Sequence, residues 1–186
     1  GQDDLALDAF LEAFRANPAE GAVFLALERL SRRTYRYEPL AEALGALAER
    51  QTVVERRLLL EEMLVDLLEN ELGRPTDAFE RLARAWGETG RIALVPELRR
   101  LAKRVAVIDA SGGIAALDRI EQGLRDRIEG TWDVEDQVRT LTLLASFLAD
   151  DRGDVTAAER LVATEVVRRG DDPEVPRELL AEAYVT

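Results

Sequence analysis

Chemistry in this chain is limited first by what is missing. It has no His and no Cys. An imidazole base, a thiolate nucleophile, a disulfide and the commonest metal ligand are therefore excluded. The acid–base groups that remain are carboxylates, 37 Asp and Glu against 25 Lys and Arg, a net charge of −12. Carboxylates so abundant cannot be singled out as a catalytic pair. The stretch Asp109-Ala110-Ser111-Gly112-Gly113 looks like a phosphate loop, but it lacks a preceding strand and the Gly-x-x-x-x-Gly-Lys pattern. It reads as a helix break. The sequence argues against an enzyme, and it offers no catalytic, metal or cofactor-binding residues.

One local charge anomaly stands out. Arg99, Arg100, Lys103 and Arg104 fall at i, i+1, i+4 and i+5, on one side of a helix. Residues 91–110 carry five basic and two acidic side chains within an acidic protein. Two readings fit. The cluster docks an acidic peptide or carboxylate, or it is paired internally with Glu61, Glu62, Asp66 and Glu69 on an earlier helix. That acidic face would in turn suit a basic peptide. Among the aromatics, Tyr35 and Tyr37 lie in the turn SRRTYRYEP, and Trp86 and Trp132 lie near helix ends. Such rings either plug gaps between helices or anchor a partner. Tyr35 is the one expected to be partly exposed.

The elements that carry these groups are helices. Apolar positions follow a 3.6-residue period nearly throughout. The stripes include Leu7, Phe10, Leu11, Phe14; Leu60, Met63, Leu64, Leu67, Leu68, Leu72; and Ile114, Leu117, Ile120, Leu124, Ile128. No stretch alternates with period 2, so no strand is predicted. Predicted helices cover about 19–33, 38–50, 53–72, 75–88, 92–109, 113–129, 134–150, 155–169 and 175–185, after a first stripe ending at Asn17-Pro18. That makes about ten helices joined by short loops. Gly73 and Gly153 fit helix ends, Asp133 fits an N-cap, and Ser111-Gly112-Gly113 separates two helices.

These helices pair as hairpins, and the segments ENELGRPTDAFERLARAW (69–86) and LADDRGDVTAAERLVATEVV (148–167) repeat one another. A repeat of that size predicts an all-α solenoid of stacked antiparallel hairpins. Small residues open the second helix of each pair, at Ala41, Ala78, Ala115 and Ala157, where two backbones must approach closely. Gly73 with Ala78, then Leu82 and Ala85, and Gly153 with Ala157 and Ala158, resemble the tetratricopeptide repeat. Pro18 and Pro173 stand near its closing proline. The resemblance spans nearly the whole chain, as one domain over 1–186, with repeats of uneven length. It implies a scaffold that holds a peptide or partner helix in a concave groove lined by the first helices of the hairpins. A sensor of a small ligand or signalling peptide, and a subunit that self-associates through its end hairpins, are the other functions such a fold implies. Both ends read as unfinished, since Leu179, Leu180 and Tyr184 are apolar where a terminal repeat is normally polar.

The acidic balance disfavours nucleic acid, and no apolar run reaches membrane-spanning length. The single Lys among 25 basic residues, with abundant Ala, Leu and Val, suggests a GC-rich bacterial gene. Composition leaves the compartment open, with the cytoplasm favoured over the periplasm.

Overall fold

A computed structural model describes residues 2–18 and 20–169. Among these residues every regular element is helical. The helices are α1 (Gln2–Ala16), α2 (Gly21–Thr34), α3 (Glu38–Arg50), α4 (Val54–Asp66), α5 (Pro75–Thr89), α6 (Val95–Ile108), α7 (Ala110–Gly130), α8 (Val134–Asp150) and α9 (Val155–Arg169). The tenth predicted helix, Pro173, Leu179, Leu180 and Tyr184 lie outside the described residues. The helices gather into two compact units, Gly1–Thr89 and Gly90–Thr186.

Within each unit, consecutive helices pack against one another, and α1 also touches α3. Unit 1 is built on Leu7, Phe14, Leu27, Leu30 and Ala43, all buried, with Phe24 at 6.2 Å from the Phe14 ring. Leu40, Leu44, Ala78, Phe79, Leu82 and Trp86 continue its interior. In unit 2 the fully buried residues include Leu98, Leu101, Ile120, Leu124, Leu141, Leu144 and Phe147. These are the members of the 3.6-residue stripes, so burial follows the amphipathic pattern.

Local signals end the helices where expected. Gly73 and Gly153 adopt φ +63° and +67°, the left-handed conformation that closes a helix. In both turns a backbone N–H reaches back six residues: Arg74 N to Leu68 O at 2.7 Å, and Asp154 N to Leu148 O at 2.9 Å. Asp133 accepts from the amides of Glu135 and Asp136 at 2.9 and 3.3 Å, as an N-cap should. Tyr35 takes the same left-handed position, φ 55°, at the end of α2. That conformation is costly for a bulky side chain.

Several expectations are corrected. Ser111-Gly112-Gly113 does not interrupt the helices; the break is one residue, Asp109, and the glycines lie inside the first turn of α7. A Cβ on Gly113 would sit 2.6 Å from Ala106 Cα and 3.0 Å from Ala106 N. The glycine is there because α6 and α7 touch backbone to backbone. The helix predicted from residue 92 begins at Val95, after a 3₁₀ turn at Ile92–Leu94. The long helix predicted over 53–72 changes to a π-turn at Leu67–Glu71.

The repeat register also shifts. Ala78 is fully buried, and its counterpart five residues past the equivalent glycine is Ala158, also buried, whereas Ala157 is half-buried. Ala115 is exposed, and Gly113 and Ala116 occupy the close contact instead. Met63 and Ile114 belong to apolar stripes yet are exposed.

Enlarging Ala78 should overpack its crossing. Ala78→Leu is expected to lower the stability of unit 1 by about 1–3 kcal/mol, read by urea denaturation. An unaltered denaturation curve would mean that the site has room to spare.

Candidate functional site

In unit 1, α3, α4 and α5 enclose an open groove of about 510 Å³. Its floor is Leu64 and Leu68, the second of which is carried by the π-turn. One wall is α3, with Ala41, Gly45 and Ala46 low and Glu42 and Glu49 on the rim. The other wall is α5 with the residue before it, where Arg74, Asp77, Arg81 and Arg84 recur every three or four residues and so share a face, with Glu80 beside them.

Arg81 organises the centre. Its Nε donates to Glu61 Oε2 at 2.6 Å, Nη1 lies 3.5 Å from Glu49, and Nη2 donates to the carbonyl of Gly45 at 3.4 Å. Glu61 is buried, so this pair satisfies a carboxylate that would otherwise be stranded in the core. Glu42 accepts twice from Arg15, at 2.6 and 2.7 Å, and these hydrogen bonds hold its carboxyl below the usual range. Arg74 donates to Asp77 at 2.6 Å. Arg84 is exposed on the same face, one turn after Glu80.

Gly45 is the unexpected residue. It sits in the middle of α3, where glycine costs roughly 0.5–1 kcal/mol relative to alanine. Packing does not demand it. An added Cβ would lie 3.8 Å from Leu64 Cδ2 and 4.0 Å from Arg81 Nη2, ordinary contact distances. The missing side chain leaves the groove open at its midpoint. The adjoining π-turn is a second departure from regular helix, of a kind often met at functional sites.

The predicted basic cluster lies in unit 2. Arg99 donates to Asp150 Oδ2 at 3.2 Å, to Ser146 Oγ at 3.3 Å, and to Asp151. Lys103 Nζ lies 2.7 Å from Asp151 Oδ1. Arg100 donates to Glu97 at 2.7 Å. Arg104 is exposed, with an interaction of its own. For Arg99 and Lys103 the pairing is internal, but the acceptors lie at the end of α8 rather than among Glu61, Glu62, Asp66 and Glu69. Of those four, Glu61 is held by Arg81, Asp66 accepts from Asn70 at 2.7 Å, Glu62 is exposed, and Glu69 is buried and engaged.

Tyr35 is 80% exposed, as expected, whereas Tyr37 is buried and its hydroxyl is pushed up by that burial. Trp86 fills the core, but Trp132 is 97% exposed in the turn before α8 and plugs nothing.

Two carboxyls in unit 2 are held low. Hydrogen bonds from the Ser146 hydroxyl and then Arg99 depress Asp150, and those from the Ser111 hydroxyl and the Gly112 amide depress Asp109. A group whose folded pKa is depressed adds stability above its unfolded value and loses it as pH falls through the folded one. The unfolded reference is 3.8. The thermal midpoint of the wild type should therefore drop as acid is added below about pH 4. Asp109→Ala/Asp150→Ala should show a shallower drop over the same range; an identical acid profile would refute the assignment.

Sequence reading did not find the groove residues Glu42, Gly45, Glu49, Arg74, Arg81 and Arg84. The signal present was the three- and four-residue spacing on α5; which other helices complete the site is tertiary information. Among the described residues, no group of three or more acidic side chains is arranged to hold a metal, and no helix is long and apolar enough to cross a membrane. No family model, curated protein or solved structure matches this chain.

Proposed function

We propose that this chain is a non-enzymatic scaffold, a tetratricopeptide-like solenoid of helical hairpins, that binds a peptide or partner helix in the α3–α4–α5 groove. The observation that carries the reading is Gly45. A mid-helix glycine lowers stability, core packing leaves room for a Cβ, and its position keeps an apolar-floored, charge-rimmed groove open. Departures from local rules that nothing in the core explains are where binding is expected. The groove runs from Ala41 to Glu49 along α3, about 12 Å at 1.5 Å per residue, the length of two helical turns. The resemblance to tetratricopeptide repeats supports the scaffold role by analogy. It differs in one respect: the walls come from the second helices of their hairpins, and a first helix supplies the floor.

The test uses helical peptides selected from a display library on the intact chain. Gly45→Leu and Arg84→Glu are expected to weaken the selected peptides at least tenfold while far-UV circular dichroism stays unchanged. Gly45→Ala should raise stability by about 0.5–1 kcal/mol and weaken binding less. Selected peptides that bind all three variants as tightly as the wild type would locate the site elsewhere.

A further inference from the structure

Trp132 stands almost wholly in solvent, in the turn between α7 and α8. Its indole adds nothing to the core, so nothing inside unit 2 accounts for it. The turn that carries it is nonetheless fixed. Thr131 N donates to Arg127 O at 3.1 Å, Gln137 Nε2 donates to the Thr131 carbonyl, and Asp133 caps α8. A backbone already held in place gives up little freedom when a partner covers the ring. Tryptophan is also among the side chains enriched where interfaces concentrate their binding energy.

The charges around the ring give the sign of that partner. Residues 126–139 carry five carboxylates, at Asp126, Glu129, Asp133, Glu135 and Asp136, and two arginines. Arg127 pairs with Asp136 at 2.7 Å, and Arg139 pairs with Glu135. The excess rests on Asp126, Glu129 and Asp133. Asp126 accepts from the neutral amide of Gln122 at 2.6 Å, and Asp133 from backbone amides; such donors leave the negative charge in place. Asp126 and Glu129 are exposed and three residues apart on one face of α7. They stand near its C-terminal end, where the helix dipole disfavours negative charge. We propose that this turn binds an arginine-bearing basic segment of a partner protein. The guanidinium covers the Trp132 ring, and its charge faces Asp126, Glu129 and Asp133. Arginine suits the site better than lysine, because its planar, weakly hydrated head stacks on an aromatic face. The site lies wholly in unit 2 and does not rest on the reading of the α3–α4–α5 groove.

The probes are fluorescein-labelled hexa-arginine and hexa-lysine, titrated with the intact chain and followed by anisotropy. Hexa-arginine should bind more tightly than hexa-lysine at equal salt. Trp132→Ala leaves the net charge unchanged, yet it should weaken hexa-arginine about fivefold, and Trp132→Phe should weaken it less. Glu129→Gln/Asp133→Asn should also weaken it, with Asn keeping the cap at 133. Glu38→Gln/Glu159→Gln removes the same charge from exposed positions elsewhere and should leave binding nearly unchanged. Trp86 is buried, so acrylamide quenches Trp132 first, and saturating hexa-arginine should protect the emission that Trp132→Phe removes. Far-UV circular dichroism should be the same for every variant. Absence of binding, equal affinity of the wild type and Trp132→Ala, or quenching that hexa-arginine leaves unaltered would each overturn the proposal. Equal losses from the two pairs of neutralised carboxylates would overturn it as well, since overall charge alone would then explain the binding.

Discussion

Gly113→Ala is expected to lower the stability of unit 2 by about 3 kcal/mol, the upper end of overpacking costs. The atoms in the way are Ala106 Cα at 2.6 Å and Ala106 N at 3.0 Å, which belong to the backbone of α6. A side chain can swing aside; a helix backbone can only separate from its neighbour, and separation loosens the packing of α6 against α7. Gly112 offers the contrast. There a Cβ would meet Asp109 Oδ2 at 2.8 Å and Val105 Cγ1 at 3.2 Å, both ends of side chains. Gly112→Ala should therefore cost less, and Gly130→Ala, with nothing within 4 Å, should cost nothing. Urea denaturation ranks the three, and hydrogen exchange of the α6 and α7 amides locates the effect. Equal curves for all three would mean that α6 and α7 do not touch at Gly113.

Asp151→Ala is expected to destabilise unit 2 by about 2–3 kcal/mol. The side chain of Asp151 is wholly inaccessible, and it faces Arg99, whose side chain is only 19% exposed. Removing the carboxylate leaves a largely desolvated guanidinium with only Asp150 and Ser146 as acceptors, and its Nε with none. Lys103 adds little to the loss, because at 63% exposure it recovers water when its partner goes. Asp150 touches the same Arg99 at 3.2 Å but is 63% exposed, so Asp150→Ala should shift the curve at neutral pH clearly less than Asp151→Ala does. Arg99→Met with Asp151→Leu, which removes both charges at once, should recover most of the loss. Denaturation curves that shift equally for Asp150→Ala and Asp151→Ala would show that burial of Asp151 is not the cause.

How much of this was legible in the sequence depended on whether the signal was local. The N-cap at Asp133 and the left-handed glycines at 73 and 153 are decided by a few neighbouring residues, and they stand where the pattern put them. The pair Gly112-Gly113 misleads because glycine serves two purposes. It ends helices, and it lets helices touch; only the position of Ala106 in space distinguishes them. The one-residue shift from Ala157 to Ala158 has a similar origin, since two adjacent alanines satisfy the same motif and burial selects between them. The partners of Arg99 lie 51 and 52 residues away, so helix periodicity could place the arginine on a face but could not name its acceptors. The groove was hidden for the same reason. Each wall reads as an ordinary solvated helix face, and the π-turn that carries part of its floor has no pattern of its own.

Lys103 is the sole ε-amine in the sequence. Its position against Asp151 makes that scarcity a practical matter. Amine-directed dyes, cross-linkers and coated sensor surfaces have one side chain to react with, at a known place on α6. Acylation there cancels a positive charge and leaves Asp151 Oδ1 facing a neutral amide. An immobilised or labelled sample is thereby modified in unit 2 beside the exposed end of its helical hairpin. Coupling through an introduced cysteine, in a chain that has none, avoids that interference.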